Sequence, residues 1–238
     1  MLEFEVLKLM ASIFTPDFSI GNKLLLINQF QELSGQKFDG EFIGGQIPQE
    51  APAEIPRIIL NSQDNSWRLE ISLQRTNLIF LKSLTFPVKA PNFKEFGNFA
   101  TKVFAKYKSQ TNIRIQRLAL VTERSLKIED DPPERFLANR FCRDKFLKKG
   151  KPFDRPSGFE IHSLKKYERE GFKVNSWVRL KSANLLDSKR TPILLAINDI
   201  NTLSHDEEPS AEWNEKDITR FYEYFPTHVE SIIDLYFN

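Results

Sequence analysis

The chain has 238 residues, with 34 Lys or Arg against 32 Asp or Glu, a formal charge of +2 at pH 7, and 40 % hydrophobic and 28 % charged residues. This balance excludes wholesale disorder and describes one large domain or two small ones, long enough to bury a core without staples. A single cysteine, Cys142, excludes an internal disulfide framework and a cysteine-rich metal site.

No uncharged apolar run approaches the ~20 residues of a membrane-spanning helix. The opening residues Met1-Leu2-Glu3-Phe4-Glu5 carry acids where a secretion leader needs a basic region. A cytoplasmic protein without membrane contact is therefore expected.

The run 2–14 is rich in Leu, Val, Phe and Ile and predicts a strand, closed by the turn residues Thr15-Pro16-Asp17. Leu24, Leu26, Ile27, Phe30 and Leu33 recur at helical steps and predict a helix over 19–33, ending at Ser34-Gly35. Gly40, Gly44, Gly45, Pro48, Pro52 and Pro56 make 35–56 a long connection, with a short edge strand near Phe42. Strands over 57–62 and 67–73 flank the hairpin turn Gln63-Asp64-Asn65-Ser66. In the second of them, Trp67, Leu69, Ile71 and Leu73 alternate with Arg68, Glu70 and Ser72, the pattern of a half-buried strand. A third strand covers 78–84. Asn92 then caps a helix whose stripe, Phe93, Phe96, Phe99, Ala100, Val103, Phe104 and Tyr107, reads as core.

The second half repeats this order. A strand covers 113–126, and Pro132-Pro133 opens a helix through Phe136, Leu137, Phe141, Phe146 and Leu147. Strands over 159–167 and 172–180 join at Glu170-Gly171, and another covers 193–203. The last helix carries Ile218, Phe221, Phe225, Val229, Ile232, Ile233 and Tyr236, with Asn214 as N-cap, Asp217 in its first turn and a kink expected at Pro226.

Leu2, Phe4, Leu7, Leu9 and Met10 align with Ile113, Ile115, Leu118, Leu120 and Val121 at a constant offset of 111. The expected fold is thus α+β: a duplicated strand–helix–three strands–helix unit, with antiparallel curved sheets and long helices on one face. The units are 1–110 and 111–238, forming one body.

Charge is segregated along the chain. From Arg143 to Arg190 there are 14 basic and 6 acidic residues, net +8; from Asp199 to the end there are 2 basic and 10 acidic, net −8. Within the basic stretch Lys173, Asn175, Trp177, Arg179 and Lys181 fall on one face of a strand. Lys173, Trp177, Arg179 and Lys181 form a candidate nucleic-acid surface, a stacking ring among cations. Mutual neutralisation of the basic strands and the acidic last helix is the competing reading.

Catalytic chemistry finds little support. His162, His205 and His228 lack metal-ligand spacing with one another or with Cys142. His205-Asp206-Glu207-Glu208 reads as a solvated acidic loop, and Cys142 has no visible activating base. Gly44-Gly45 lacks the Lys-Ser/Thr of a phosphate loop, and Gly21-Asn22-Lys23 reads as ordinary helix-start chemistry. No cofactor and no metal are expected. Arg117 and Asp199 each lie inside an apolar strand, and a charge buried in a sheet must be paired. They form a candidate structural or ligand pair, with outward-pointing side chains as the alternative.

Three segments resemble a sporadically distributed family of uncharacterised bacterial proteins of similar length. They are the hairpin Arg57-Ile58-Ile59-Leu60 to Trp67-Arg68-Leu69-Glu70-Ile71 and its following strand, Ile115-Gln116-Arg117-Leu118-Ala119-Leu120-Val121, and Leu194-Leu195-Ala196-Ile197-Asn198-Asp199-Ile200 with the terminal helix. Where that family often has an Asn after the second pattern, this chain has Glu123 and Arg124. The resemblance implies no activity and no catalytic residues; sporadic distribution fits a defence-linked or mobile-element-linked system. The function expected is a non-catalytic binding or scaffold subunit docking on another protein. Nucleic-acid binding through 143–190 is the alternative, and a small-ligand site in a helix–sheet cavity, near Asp199, the third.

Overall fold

In strand β1 (Glu5–Phe14), Leu9, Ala11 and Ile13 are fully buried while Lys8, Met10 and Phe14 between them are only partly so. A period of two sends these sets to opposite faces, so the strand builds a sheet with one dry side. The computed structural model describes residues 2–237 except 17, 45, 46, 49, 84–87, 152, 153, 186 and 205. Of the positions named above, Met1, Asp17, Gly45, Leu84 and His205, with the Phe146 side chain, lie outside the described residues.

The remaining elements follow in chain order: α1 (Lys23–Ser34), β2 (Phe42–Ile43), β3 (Ile58–Asn61), β4 (Trp67–Ile71), β5 (Arg75–Leu81), α2 (Phe93–Gln110), β6 (Arg117–Leu126), α3 (Pro133–Phe141), α4 (Asp144–Leu147), β7 (Glu160–Arg169), β8 (Phe172–Asn184), β9 (Pro192–Thr202) and α5 (Glu215–Phe237). The nine strands form one antiparallel sheet in the order β2-β3-β4-β5-β1-β6-β9-β8-β7. The mixed α+β architecture therefore holds, with both halves of the chain contributing to one sheet and to one principal core.

Local chemistry sets the boundaries. Asn92 and Glu95 close a reciprocal capping box at the start of α2. Asn214 accepts from the Lys216 and Asp217 backbone amides at the start of α5, while Asp217 accepts from the Asn214 amide. Gly35 takes φ +67° and ends α1. Glu170 and Gly171, at φ +52° and +74°, form the left-handed turn joining β7 to β8.

Of the boundaries that differ from the sequence expectation, three have a visible cause. Strand β6 begins at Arg117, not 113, because the Ile115 and Gln116 carbonyls accept from Trp213 instead. The helix expected over 132–147 divides, since Cys142 and Arg143 adopt extended ψ values of 151° and 141°. Strand β5 starts at Arg75, because Ser72 closes a tight turn on the Gln74 and Arg75 amides.

Helices α1, α2, α3 and α5 pack on the dry face. The two long ones, α2 and α5, also pack on each other. Pro226 has no amide hydrogen, so the Tyr222 carbonyl four residues earlier lacks its helical donor. That carbonyl faces Gly97 of α2: a Cβ built there would stand 2.2 Å from the oxygen and 2.8 Å from Pro226 Cγ. From the same turn of α5 the buried Tyr222 hydroxyl donates to the Ser12 carbonyl at 2.7 Å and approaches the Ala119 carbonyl at 3.4 Å. Ser12 and Ala119 are cross-strand partners on β1 and β6. One residue thus ties α5 to the middle of the sheet while its backbone receives α2.

Gly97→Ala would gain about 1 kcal/mol of helix propensity and lose more to overpacking, which costs about 1–3 kcal/mol or more against rigid backbone. A net destabilisation of about 2 kcal/mol in urea unfolding is expected. Gly21→Ala, where an added Cβ meets nothing within 4 Å, should stay within about 0.5 kcal/mol of the parent.

Candidate functional site

None of these four helices lies on the opposite face of the sheet, and that face collects every candidate residue named from the sequence. Lys173, Trp177, Arg179 and Lys181 share one parity on β8; their neighbours Phe172, Val174, Val178 and Leu180 face the core. Asp199 on β9 pairs directly with Trp177, and Arg117 on β6 lies two residues from Ala119, the partner of Asn201.

Register orders the face into rows. One runs Leu164, Trp177, Asp199, Val121, Met10 and Ile79, each the cross-strand partner of the next. It is apolar except for Asp199, and Leu164 at its outer end is 43 % exposed. The row on one side is rich in amides: Asn175, Asn201, Ala119, Ser12 and Asn77. There the Ser12 hydroxyl donates to Asn77 Oδ1 at 2.8 Å. The row on the other side is charged, with His162, Arg179, Glu123 and Lys8 among its members, and Lys8 pairs with Glu123 at 3.2 Å.

Arg117 does not meet Asp199 directly. Its Nη2 donates to Asn201 Oδ1, and Asn201 Nδ2 donates to Asp199 Oδ1 at 2.9 Å. The amide works as a relay, acceptor toward the cation and donor toward the carboxylate. Burial pulls the Arg117 pKa down, and the charges of Asp199 and Glu207 oppose that pull. The arginine that the sheet holds against the helices is Arg124, 5 % exposed, which donates to Asn198 Oδ1 at 3.1 Å and to the Val229 carbonyl at 2.9 Å. Burial lowers its pKa to about 10 in spite of Glu230 and Asp234.

The basic strands are partly neutralised by the acidic loop before α5. Glu207 accepts from Lys166 at 2.5 Å, from Asn175 at 3.2 Å and from the Ser204 amide and hydroxyl at 3.1 Å, while Lys173 pairs with Glu208 at 3.8 Å. The bond from Lys166, followed by those from Ser204 and Asn175, holds the Glu207 carboxyl down at about 2. Arg179 stacks over Trp177 at 5.9 Å.

On the helix side, a cavity of about 530 Å³ lies between β7 and α5, lined by Tyr167, Val178, His228, Ile232, Leu235 and Tyr236 among others. His228 Nε2 and the Tyr167 hydroxyl are 2.9 Å apart; burial, then Arg169, lowers the His228 pKa. Asp199 lies on the other face and does not line this cavity. His162 sits on the outer strand, 2.7 Å from Glu160. Among the described residues no three His, Cys, Asp or Glu side chains gather as metal ligands, and no helix is long and apolar enough to cross a membrane. Cys142 is half-buried just after α3.

Sequence reading placed Asn175 on this face but missed Asn201, Ser12, Asn77 and Glu207 as members of the surface. The parity of each strand contained the signal for the first three; the arrival of Glu207 from a loop did not. Compared with protein-family models, with curated proteins and with solved structures, the chain matches none.

Because its folded pKa is depressed, Glu207 holds the loop onto β7 and β8 above the unfolded carboxylate pKa, and the hold is lost as pH falls toward 2. NMR titration of the Glu207 carboxyl should give a midpoint near 2 in the parent and a clearly higher one in Lys166→Ala.

Proposed function

We propose that the protein is a non-catalytic docking subunit that binds another protein through the open face of its sheet. The observation that carries this reading is the apolar row Leu164–Trp177–Val121–Met10, interrupted only by Asp199 and ending at the buried Ile79, across a face that none of the packed helices covers. A solvent face of an antiparallel sheet is ordinarily polar, and contiguous apolar surface there marks an interaction site. The charged row on one side supplies the polar rim that protein interfaces carry, while the amides on the other side are buried and bonded to their neighbours.

Nucleic-acid binding is the second reading, supported by Trp177 and Arg179 side by side. It is weakened by Asp199 opposite Trp177 and by the carboxylates already paired to Lys166 and Lys173. A setting in a bacterial defence or mobile-element-linked system belongs to the same proposal.

We also infer the internal duplication, with units 1–110 and 111–238. The offset of 111 equates Met10 with Val121, and these two residues are direct cross-strand partners. Outward from β1 the order is β5, β4, β3; outward from β6 it is β9, β8, β7. Two copies of one unit joined about a twofold axis at the Met10–Val121 pair would have this pairing.

The test is affinity capture from the native host at low and high salt with the parent chain, Val121→Glu and Leu164→Glu. The expected result is a stoichiometric protein partner, retained at high salt by the parent and lost from both variants, with unchanged melting of Leu164→Glu. Equal capture by all three, or nucleic acid released as salt rises, would sink the proposal.

A further inference from the structure

We infer that the end of the open face formed by Arg75, Phe14 and Arg117 receives an acidic side chain of the protein partner. This deepens the docking reading and rests on it. Phe14 pairs in register with Arg75 on one side and Arg117 on the other, so three side chains rise together from adjacent strands. Strand spacing places the two arginine Cα atoms roughly 10 Å apart. The Arg117 guanidinium lies over the Phe14 ring at 5.1 Å. In both arginines Nε is buried without a hydrogen-bond partner.

The rest of the two guanidinia differ. That of Arg117 donates to Asn201 and feels Asp199 and Glu207. That of Arg75 has neither an acceptor nor a carboxylate partner among the described residues. Native structures leave few such groups unsatisfied, and here two stand in one cross-strand row on the surface assigned to docking. With Nε buried, a carboxylate arriving at the Nη end of Arg75, beside Phe14, would supply an acceptor and the counter-charge.

A single acidic side chain fits better than a polyanion. Asp199, Glu123 and Glu70 rise from the same face further along, and a phosphate backbone crossing it would meet them. Phe14 is four residues from Met10 on β1, about 13 Å along the strand. The partner segment therefore carries an acidic residue about four extended residues from the apolar group that meets Met10, Val121 and Trp177. Arginine beside an aromatic ring is a recurrent energetic centre of protein interfaces.

The experiment measures fluorescence anisotropy of three labelled probes: a Glu/Tyr copolymer, a Lys/Tyr copolymer and oligo-dT. The parent chain should bind the Glu/Tyr copolymer saturably and in preference to the other two. Arg75→Ala should weaken it by about tenfold or more, and Arg75→Lys by less. Since the Arg75 side chain has no hydrogen-bond or carboxylate partner among the described residues, Arg75→Ala should melt like the parent, which keeps the test open even where Arg117→Ala unfolds. Unchanged affinity in Arg75→Ala, no saturable binding, or preference for either other probe overturns the inference. Capture of the host partner separates the two proposals: a partner lost by Leu164→Glu but kept by Arg75→Ala leaves docking standing and removes this site, whereas no partner at all removes the docking reading itself.

Discussion

Helix α2 meets the Tyr222 carbonyl of α5 at a position where only glycine fits, and the arrangement of the molecule follows from that crossing. Pro226 leaves the carbonyl without its helical donor, and Gly97 allows α2 to approach it. The same turn of α5 sends the Tyr222 hydroxyl to the carbonyls of Ser12 and Ala119, on the two strands where the halves of the sheet join. One crossing therefore sets the spacing of the helices, their height above the sheet and the position of its central seam. The rings of Phe96, Phe104, Phe221 and Phe225 fill the space around it, each contributing about 2 kcal/mol by burial.

With both long helices committed to one side, the other side of the sheet is left for the docking role proposed above. Its strands were free to place any residue type at alternate positions without cost to the core. What they carry is neither uniformly polar, as solvation alone would require, nor uniformly apolar, as a second buried layer would require. The apolar row, the amide row and the charged row lie side by side. The Arg117–Asn201–Asp199 relay keeps one cation and one anion connected on that face without a direct ion pair. Asn201 at its centre is buried and needs its partners, so the relay serves the fold as well as the charge pattern of the surface.

Much of the fold was legible before any coordinate. The stripe of α2, its Asn92 cap, the Glu170-Gly171 turn and the alternation of β4 and β8 are local, and each is written in a window of a few residues. One error came where a distant group intervened. Trp213 claims the Ile115 and Gln116 carbonyls from nearly a hundred residues away and so delays the start of β6. At the site, parity alone placed Trp177 with Lys173 and Arg179. Singling out Arg117 as a charge within an apolar strand was informative, yet the charge most deeply buried against the helices is Arg124, five residues beyond Ala119 on the dry face.

The amino-acid sequence by itself determined the element types, most caps and turns, and which residues of each strand share a face, because these depend on spacing along the chain and on backbone chemistry of near neighbours. Tertiary structure alone decided the order of the strands, the approach of α2 to α5, the neutralisation of Lys166 and Lys173 by the 204–208 loop, and the meeting of Arg75 and Arg117 across Phe14. Those depend on cross-strand register and on long-range packing, and two residues about forty positions apart carry no local mark of being set on either side of the same cross-strand neighbour.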